Sequence, residues 1–353
     1  MSKLNLAIIF GGKSTEHEIS LLSAKSILKH INADKYNLSL ILIDIQGHWH
    51  LKDDIDANKG ISVTLAPTSN GTSLVNLNTG EVITKLDVVF PVLHGLFGED
   101  GTIQGFFKMV DIPFVGCGVM ASSACMDKDM TKRLLRDSDI GIAPYAIASP
   151  NRKPSFEDIE KQLGMPVFIK PANLGSSVGV FKVSSKDEYN DKVEEALGYD
   201  PKVLIEKTII GKEVECAVLG NSKPKASLPG EVITEVGFYD FESKYVDKDA
   251  SSILIPADLT QSQIETIREI AIKAYLVMAC EGLARVDFFV TNEGDILINE
   301  INTIPGFTNI SMYPKMWEAT GIPYPELIDI LIELGIERYD QEQALRIVAR
   351  EVK

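Results

Sequence analysis

The sequence lacks long hydrophobic runs and any excess of basic residues. No apolar stretch approaches the roughly 18 residues that suggest a transmembrane helix, so we expect neither a membrane span nor a membrane partner. The chain carries 35 Lys and Arg against 50 Asp and Glu, for a formal net charge of −15. Because nucleic-acid binders need basic surface against phosphates, this balance predicts no nucleic-acid partner. The charge balance does not exclude small anionic ligands, since a few local lysines are enough to bind them.

Cysteine is scarce, and its spacing excludes two further kinds of site. The four cysteines, at 117, 125, 216 and 280, form no Cys-x-x-Cys pair. We therefore predict buried, reduced thiols rather than a zinc or redox framework. The segment Met1–Phe10 lacks the basic flank and cleavage site of a signal peptide. Together these absences fit a cytoplasmic enzyme, although many other proteins would show them too.

The N-terminal part of the chain carries the pattern of an open α/β domain. The 353 residues are enough for two or three domains with a large core. Leu4–Phe10 is an apolar run that ends in two glycines and precedes a periodic helical segment, which predicts strand, tight turn and helix. Further buried strands at 38–44 and 86–93 predict a parallel sheet. The polar, weakly periodic segment 46–85 predicts an insertion of loops, and a hairpin within it is left open as an alternative.

Two further units follow along the chain. A unit of short strands and charged helices begins near Met126, and longer strands begin near Glu213. We expect domains at 1–125, 126–212 and 213–353, with a polar, aromatic lid at about 237–250. The fold class is accordingly predicted as α/β, turning to α+β in the C-terminal part.

Two apolar runs near the C-terminus flank a glycine-bearing turn and predict a β-hairpin. The runs are 285–290 and 296–302, and the turn contains Gly294. If the loop is Glu293-Gly294, then Asn292 pairs with Asp295, and the register of the whole hairpin follows. A slip of one residue would reverse the faces of one strand.

That register places four functional side chains on one face. Asp287 lies across from Glu300 and Arg285 across from Asn302, and strand side chains alternate between faces. Two carboxylates and an amide oxygen suit a hard divalent cation such as Mg²⁺. The alternative is an exposed hairpin with charges on its wet face, but like charges paired across strands are destabilising without a counter-ion.

Two polar side chains follow buried strands of the first unit. Glu16 follows the turn after the first strand, where Thr15 and Glu18 fit a capping box, and His94 ends the strand at 86–93. Ligands of open α/β sheets bind at the carboxyl ends of strands, so Glu16 could hold an ammonium group and His94 could contact a ligand. Alternatively, Glu16 complements the helix dipole and His94 is a packed structural histidine.

Lysines flank a Gly-Ser loop in the second unit. Lys170 closes a strand before the loop at 175–179, whose successive N–H groups could form an anion nest. Lys170 and Lys128 could add positive charge for nucleotide phosphates, although a flexible turn has a similar sequence. Glu206 and Glu213 follow the next strand, where a strand edge could pair with adenine and a carboxylate could hold ribose hydroxyls.

Two histidines in the polar insertion form a separate pattern. His48 and His50 are two residues apart, a spacing that could contribute to a metal site. They have no third partner in the segment, so we predict that they are surface residues.

An ordered set of segments resembles the D-alanine–D-alanine ligase family of the ATP-grasp superfamily. In chain order the segments are GGKSTEHEIS, HGLFGEDGTIQG, GVMASSACMDK, IKPANLGSSVG, LIEK, YDFESKY, ARVDF and NEINTIPGFTNIS. They run from about residue 5 to about residue 315. The resemblance implies an ATP-grasp fold, in which an N-terminal open parallel α/β domain precedes two domains that sandwich ATP. It also implies a homodimer.

The resemblance further implies which residues bind ATP and metal. ATP phosphates would be bound by Lys128, Lys170, Ser176 and Ser177, adenine by Glu206, Lys207 and Ile209, and ribose by Glu213. Two Mg²⁺ ions, with Mn²⁺ as a substitute, would be bound by Asp287, Glu300 and Asn302. This metal set agrees with the independent argument from the hairpin.

The remaining residues implied by the resemblance concern the two amino-acid substrates. The first D-alanine would be bound by Glu16 and His94, the carboxylate of the second by Ser311 and Lys244, and the oxyanion by Arg285 and the backbone of Gly306. Tyr245 would join Glu16 and Ser176 in a network across the closed site. That tyrosine is typical of relatives that form a dipeptide, whereas those that form D-alanyl-D-lactate carry histidine in its role.

The implied activity is ATP-dependent joining of two D-alanine molecules through D-alanyl phosphate, for peptidoglycan precursors. The alternatives are an ATP-grasp ligase with another second substrate and a non-catalytic nucleotide-binding protein with the same fold. Tyr245 and Ser311 argue against the first alternative. The presence of Arg285 and all three metal ligands argues against the second.

Overall fold

The computed structural model describes residues 3–234 and 251–345, and these ranges contain three β-sheets. The predicted lid at 237–250, with Lys244 and Tyr245, lies outside the described residues. Among the helices of the described ranges, none combines the length and the apolar composition that crossing a bilayer requires.

The first sheet is mixed rather than parallel. Its strands are β1 (Leu4–Gly11), β2 (Tyr36–Ile43), β3 (Trp49–Lys52), β4 (Ile61–Thr68), β5 (Gly71–Asn76), β6 (Val82–Lys85) and β7 (Val88–Val92). Their order is β6-β5-β4-β3-β2-β1-β7, and only the contacts of β1 with β2 and β7 are parallel among these pairs. The predicted parallel strands are confirmed at β1, β2 and β7.

The prediction of loops for segment 46–85 is wrong, because this segment forms four strands that extend the first sheet. The hairpin that the prediction left open is present, formed by β4 and β5. These strands bury few side chains, among them Val63, Leu65 and Leu74. Most of their other side chains are partly or fully exposed. The apolar alternation that marks a strand is therefore weak in this part of the sequence.

The second sheet has one apolar face and one charged face. Its strands are β8 (Tyr145–Ala148), β9 (Val167–Pro171), β10 (Phe181–Val183) and β11 (Val203–Lys207), in the antiparallel order β10-β9-β11-β8. Val167, Ile169 and Ile205 belong to a buried cluster on one face. Because side chains alternate along a strand, Lys170 and Glu206 lie on the other face.

The third sheet is antiparallel and contains the predicted hairpin. Its strands are β12 (Gly211–Leu219), β13 (Lys225–Ala226), β14 (Gly230–Thr234), β15 (Ser251–Leu254), β16 (Leu283–Thr291) and β17 (Ile296–Asn302). The order is β15-β14-β12-β16-β17, and β13 pairs with β12. The hairpin of β16 and β17 therefore lies beside a long central strand, which covers one of its edges.

The register of this hairpin is confirmed at the functional residues and wrong at the turn. Asp287 pairs with Glu300 and Arg285 with Asn302, as predicted. A bulge then shifts the pairing, so that Phe288 lies across from Ile298 and the predicted pair of Asn292 with Asp295 does not form. The bulge occurs where the Ile298 N–H donates to Gly141 O (2.8 Å), a contact from a distant segment.

Nine helices are described in these ranges, and three of them were not anticipated. They are α1 (His17–His30), α2 (Thr102–Met109), α3 (Val119–Met126), α4 (Lys128–Asp137), α5 (Phe156–Leu163), α6 (Lys186–Leu197), α7 (Gln261–Val277), α8 (Met312–Ala319) and α9 (Tyr324–Gln343). Besides α1, the sequence pattern predicts helices at 101–110, 130–137, 156–164, 261–280 and 324–334, which correspond to α2, α4, α5, α7 and the first half of α9. It missed α3, α6 and α8.

The hydrophobic cores join the sheets. One cluster contains Phe10 of the first sheet, Leu219 of the third sheet, Trp317 of α8 and Leu331 of α9. The C-terminal helices therefore pack against the N-terminal sheet, which fixes the third sheet beside the first. The four cysteines are buried and free, as predicted.

Candidate active site

Glu16 lies at the N-cap of α1 and contacts the Gly-Ser loop of the second unit. Ser176 Oγ donates a hydrogen bond to Glu16 Oε1, although the two residues are 160 positions apart in the chain. Glu16 is only 8% exposed. The predicted capping box of Thr15 and Glu18 is wrong, because the N-cap is Glu16 and no side chain caps the helix. This carboxylate therefore faces the site rather than its own helix.

The backbone around Glu16 leaves no room for additional side-chain atoms. A Cβ atom on Gly95 would lie 2.6 Å from Glu16 Oε2, and its φ of +73° also favours glycine. Ser176 and Ser177 have φ values of 52° and 58°, a left-handed conformation that is uncommon for serine. Such backbone persists where surrounding contacts hold it, often at functional sites.

His94 is buried, and both of its ring nitrogens contact protein groups. Nδ1 lies 2.9 Å from Ile304 O, and Nε2 lies 3.1 Å from Ser23 Oγ. Burial lowers the pKa of His94, with Glu16 acting in the opposite direction. A neutral ring that donates to Ile304 and accepts from Ser23 satisfies both contacts. His94 thus anchors the segment after β17 against α1.

Glu99 is a buried carboxyl group at the same junction, and the sequence analysis did not assign it a role. It accepts hydrogen bonds from the N–H groups of Gly95 (2.8 Å) and Ile304 (2.9 Å). Burial, followed by repulsion from Glu16, raises the pKa of Glu99 to about 8. The signal available in the sequence was its place in GEDG, which is separated from His94-Gly95 by only two residues.

Arg285 lies between two carboxylates on the third sheet. Its Nε and Nη2 atoms donate to the two oxygens of Asp287, each at 2.7 Å. Its Nε is also 3.0 Å from Glu215 Oε2 on β12. Burial alone would lower the pKa of Arg285, but these carboxylates raise it above its usual value. Glu215 was not identified from the sequence, because it lies on β12, which is distant from the hairpin along the chain although it pairs with β16 in the sheet.

Asn302, Glu300 and Lys128 complete this acidic surface. Asn302 Nδ2 donates to Asp287 Oδ2 (2.9 Å). Lys128 Nζ, at the start of α4, is 3.5 Å from Glu300 Oε2 and donates to Leu174 O (2.7 Å). Lys128 therefore links the acidic hairpin to the loop that carries Ser176.

The second sheet contains a basic network around one buried carboxylate. Glu206 is 3% exposed, with Lys132 Nζ 2.9 Å from its Oε1 and Lys170 forming an ion pair with its Oε2. Lys170 Nζ also donates to Asn299 Oδ1 on the hairpin bulge (3.2 Å). Burial opposes ionisation of Glu206, but the two lysines lower the pKa of this carboxyl group below its usual value. The sequence analysis did not assign Lys132, which is fully buried on α4.

The other predicted site residues lie at the ends of these elements. Glu213 faces Phe289 across β12 and β16, on the same side of the sheet as Asp287. Lys207 and Ile209 follow Glu206 at the end of β11, where Lys207 is exposed. Ser311 is the N-cap of α8, and a Cβ on Gly306 would lie 2.9 Å from Ser311 Oγ. Of these residues, Glu213 therefore lies on the face of the third sheet that carries Asp287 and Glu215.

The fold and the site define the class of protein. The charged faces of the second and third sheets are joined through Lys170 and Lys128, and Glu16 of the first unit meets them through Ser176. This arrangement is an ATP-grasp fold preceded by an α/β unit. It combines a basic network suited to phosphates with an acidic surface suited to cations.

Comparison with known proteins identifies the family. Profiles described as D-ala D-ala ligase N-terminus and C-terminus match residues 5–117 and 134–333. A D-alanine–D-alanine ligase from Shouchella clausii is 48% identical, over 98% of this chain and 98% of the relative. The chain belongs to the D-alanine–D-alanine ligase family.

Solved structures agree with this assignment. The structure of the D-alanine–D-alanine ligase from Coxiella burnetii has a TM-score of 0.87 and 40% identity, and the match covers 97% of each chain. VanG D-Ala:D-Ser ligase from Enterococcus faecalis has a TM-score of 0.85 and 37% identity, over 95% of this chain and all of the other. These two proteins share one fold, but their names state different second substrates.

Proposed function

We propose that the protein joins two D-alanine molecules to D-alanyl-D-alanine, with ATP converted to ADP and phosphate, for peptidoglycan precursors. The observation that carries the proposal is the Ser176–Glu16 hydrogen bond, which brings a buried carboxylate to the loop beside the charged sheets. ATP and a divalent metal are general requirements of this ligase family. The sequence match over nearly the whole chain supports the same activity.

Glu16 is the proposed acceptor for the ammonium group of the first D-alanine. A buried carboxylate that already accepts from Ser176 has a second oxygen next to Gly95 and Gly175. Neither glycine carries a Cβ, so the backbone can approach this oxygen closely. His94 contributes by fixing the neighbouring segment, since both of its ring nitrogens are already engaged.

The basic network is the proposed site for ATP. Lys128 and Lys170 would contact phosphates with Ser176 and Ser177, while Lys207, Ile209 and Glu213 would border adenine and ribose. Glu206 faces two lysines, which supports a role in positioning Lys170 in addition to lining the adenine site.

Asp287, Glu300 and Asn302 fit a divalent metal site. The set offers carboxylate and amide oxygens, the ligands that Mg²⁺ prefers, on two adjacent strands. Asp287 and Glu300 are balanced by Arg285 and Lys128, as expected for carboxylates that need cationic partners. We propose that these residues hold two Mg²⁺ ions, for which Mn²⁺ can substitute. Bound metal would offset negative charge on the phosphates of ATP.

The proposed reaction has two steps. The carboxylate of the first D-alanine attacks the γ-phosphorus of ATP, the bond to the bridging β–γ oxygen breaks, and ADP leaves with D-alanyl phosphate as product. The amine of the second D-alanine then attacks the acyl carbon, loses a proton and displaces phosphate. Arg285 and the N–H of Gly306 are the proposed donors to the oxyanion.

Ser311 and Lys244 are the proposed contacts for the carboxylate of the second D-alanine. Tyr245 would complete a network with Ser176 and Glu16 when the lid closes and excludes water from the acyl phosphate. A closed lid matters because water would hydrolyse the intermediate. We further propose the domains 1–125, 126–212 and 213–353, a homodimer and a cytoplasmic location. The domain limits are supported by the three separate sheets.

The test is ADP release with ATP, Mg²⁺ and one candidate substrate set at a time, with products identified by mass. The sets are D-alanine alone, L-alanine alone, and D-alanine with D-lactate or D-serine. We expect D-alanine alone to give ADP and dipeptide in equal amounts. ADP release without D-alanine dependence, in protein that binds ATP, would contradict the substrate assignment. A mixed product as the main species would contradict the assignment of the second substrate.

A further inference from the structure

The turn between β2 and β3 brings together three side chains with metal-binding atoms. Asp44 directly follows β2, His48 precedes β3, and His50 lies on β3 across from Leu42. The turn is closed by the Asp44 N–H to His48 O (2.9 Å) and by the Gly47 N–H to Asp44 O (2.9 Å). The prediction that the two histidines lack a third partner is therefore wrong. Asp44 was missed because it belongs to the preceding predicted strand.

The Asp44 carboxylate is held in place by the turn itself. Its Oδ1 accepts hydrogen bonds from the N–H groups of Gln46 (3.0 Å) and His48 (2.8 Å). Its Oδ2 faces the two imidazoles, 3.3 Å from His48 Nδ1 and 3.1 Å from His50 Nε2. Partial burial opposes ionisation, but these hydrogen bonds lower the pKa of Asp44 to about 2. One oxygen is thus fixed by backbone while the other is directed at both rings.

We propose that Asp44 Oδ2, His48 Nδ1 and His50 Nε2 form a binding site for one transition-metal ion, with Zn²⁺ as the reference case. The three atoms lie within 4.8 Å of one another. Ligands at about 2.0–2.1 Å in a tetrahedral zinc site are roughly 3.3 Å apart. The two distances to Asp44 Oδ2 already match that separation. The third edge, from His48 Nδ1 to His50 Nε2, lies within the same 4.8 Å limit, and the His48 ring is exposed.

The donor set distinguishes this site from the proposed magnesium site. Two imidazoles and one carboxylate suit zinc, nickel or copper, whereas Mg²⁺ prefers oxygen ligands. Metal would replace the protons that now link each imidazole to Asp44. The Gln46 and His48 N–H groups would still hold Oδ1, as outer hydrogen bonds do in metal sites.

The surroundings leave space for further ligands. The His48 side chain is 72% exposed, and those of His50 and Asp44 are 27% and 25% exposed. Water can therefore complete the coordination, and an ion can enter without rearrangement of the fold. Asp44 directly follows β2, the neighbour of β1, so bound metal would join β2 to β3 near the edge from which α1 begins.

The test is a titration of Zn²⁺ into the untagged full chain in the presence of excess Mg²⁺, which occupies oxygen-ligand sites. Bound Zn²⁺ is measured by competition with a fluorescent chelator, and Tm is recorded with and without Zn²⁺. The variants are His50→Asn and Asp44→Asn. The second variant keeps an oxygen for the Gln46 and His48 N–H groups, so the turn is preserved. His30→Asn is the matched control, because His30 contacts Ser26 O on α1 and is not part of the turn.

We expect one equivalent of Zn²⁺ in the wild type, with a rise in Tm. Each variant at positions 44 and 50 should bind Zn²⁺ at least about tenfold more weakly, since even loss of an outer-sphere partner costs 10–100-fold in metal sites. The control should match the wild type. No stoichiometric binding in the wild type would overturn the proposal. Equal affinity in His50→Asn and His30→Asn would also overturn it, because the metal would then be bound elsewhere.

Discussion

The second and third sheets each place one charged side chain between two side chains of opposite charge, and the signs are reversed between the two sheets. On the second sheet, the Glu206 carboxylate lies between two lysines, Lys132 and Lys170. On the third sheet, the Arg285 guanidinium lies between two carboxylates, Asp287 and Glu215. Among these named groups, lysines outnumber the carboxylate on the second sheet, and carboxylates outnumber the guanidinium on the third sheet.

This difference explains how one cleft can hold both phosphates and metal. Because opposite charges attract, the lysines of the basic network favour a bound anion and the carboxylates of the acidic surface favour a bound cation. A metal complex of ATP supplies both. The contacts of Lys170 with Asn299 and of Lys128 with Glu300 connect the two regions. Removing a charge from each region is therefore expected to have different consequences.

The largest effect is expected for Arg285→Ala. Loss of a donor to the oxyanion should reduce kcat about 10²–10³-fold, while ATP affinity changes little. The variant should also be less stable, because Asp287 and Glu215 lose their shared cation. The measurements are ADP release, dipeptide yield and ATP binding by calorimetry.

Arg285→Lys separates the catalytic and structural effects of that change. Lysine keeps the charge but loses the two-pronged contact with Asp287. We expect most of the stability to return without full activity. Wild-type turnover in the alanine variant would contradict the role assigned to Arg285.

Lys132→Met tests the basic region and should have the next largest effect. Glu206 Oε1 would lose its cation while staying buried, at a cost of roughly 2–4 kcal/mol in unfolding free energy. ATP affinity should fall as well, because Glu206 would then pair with Lys170 alone. Thermal unfolding and ATP titration are the measurements.

Two further variants control for this interpretation. Adding Glu206→Gln to Lys132→Met should restore part of the stability, because a neutral amide group replaces the carboxylate oxygen that lost its cation. Lys186→Met breaks an ion pair of two exposed side chains and should leave stability unchanged. A Lys132→Met protein as stable as the Lys186→Met control would show that the buried pair contributes nothing.

The last effect concerns the pH dependence of stability and a carboxyl group that keeps its proton in the folded state. Lysines lower the pKa of Glu206, whereas burial raises that of Glu99 from 4.5 to about 8. The folded state therefore binds a proton that the unfolded state releases. This contribution to stability is complete below about pH 4.5 and is lost as pH rises towards 8.

Glu99→Gln removes that titration. We expect Tm of the wild type to fall relative to that of the variant as pH is raised from 5 to 8, and the difference to level off above about pH 8. Parallel pH profiles for the two proteins would contradict the raised pKa. Activity is not required for this measurement.

The sequence predicted much of the fold where local patterns agree with burial. The apolar run of β1 and the periodicity of α1 were sufficient, because both elements pack against the core. Strands β3–β6 were missed because they bury few side chains. The hairpin register was right at Asp287 and wrong at the turn, because a bulge depends on Gly141, a distant residue.

The candidate site was predictable where one segment carried several functional groups. The hairpin showed Arg285, Asp287, Glu300 and Asn302 directly. Lys132, Glu215 and Glu99 were not assigned, because their roles depend on strands and loops that meet only in the folded chain. Lys244 and Tyr245 stay predictions, since they lie outside the described residues.

The most direct test is whether the acidic surface and the basic network bind one metal complex of ATP. ATP binding is measured by calorimetry in the presence of Mg²⁺ and, separately, of a chelator, for the wild type and for Glu300→Gln. If the acidic surface and the basic network form one site, Mg²⁺ will tighten ATP binding to the wild type, and the variant will lose most of that gain. ATP affinity that is equal with Mg²⁺ and with the chelator would contradict the account. A Glu300→Gln protein that keeps the full gain would contradict it as well.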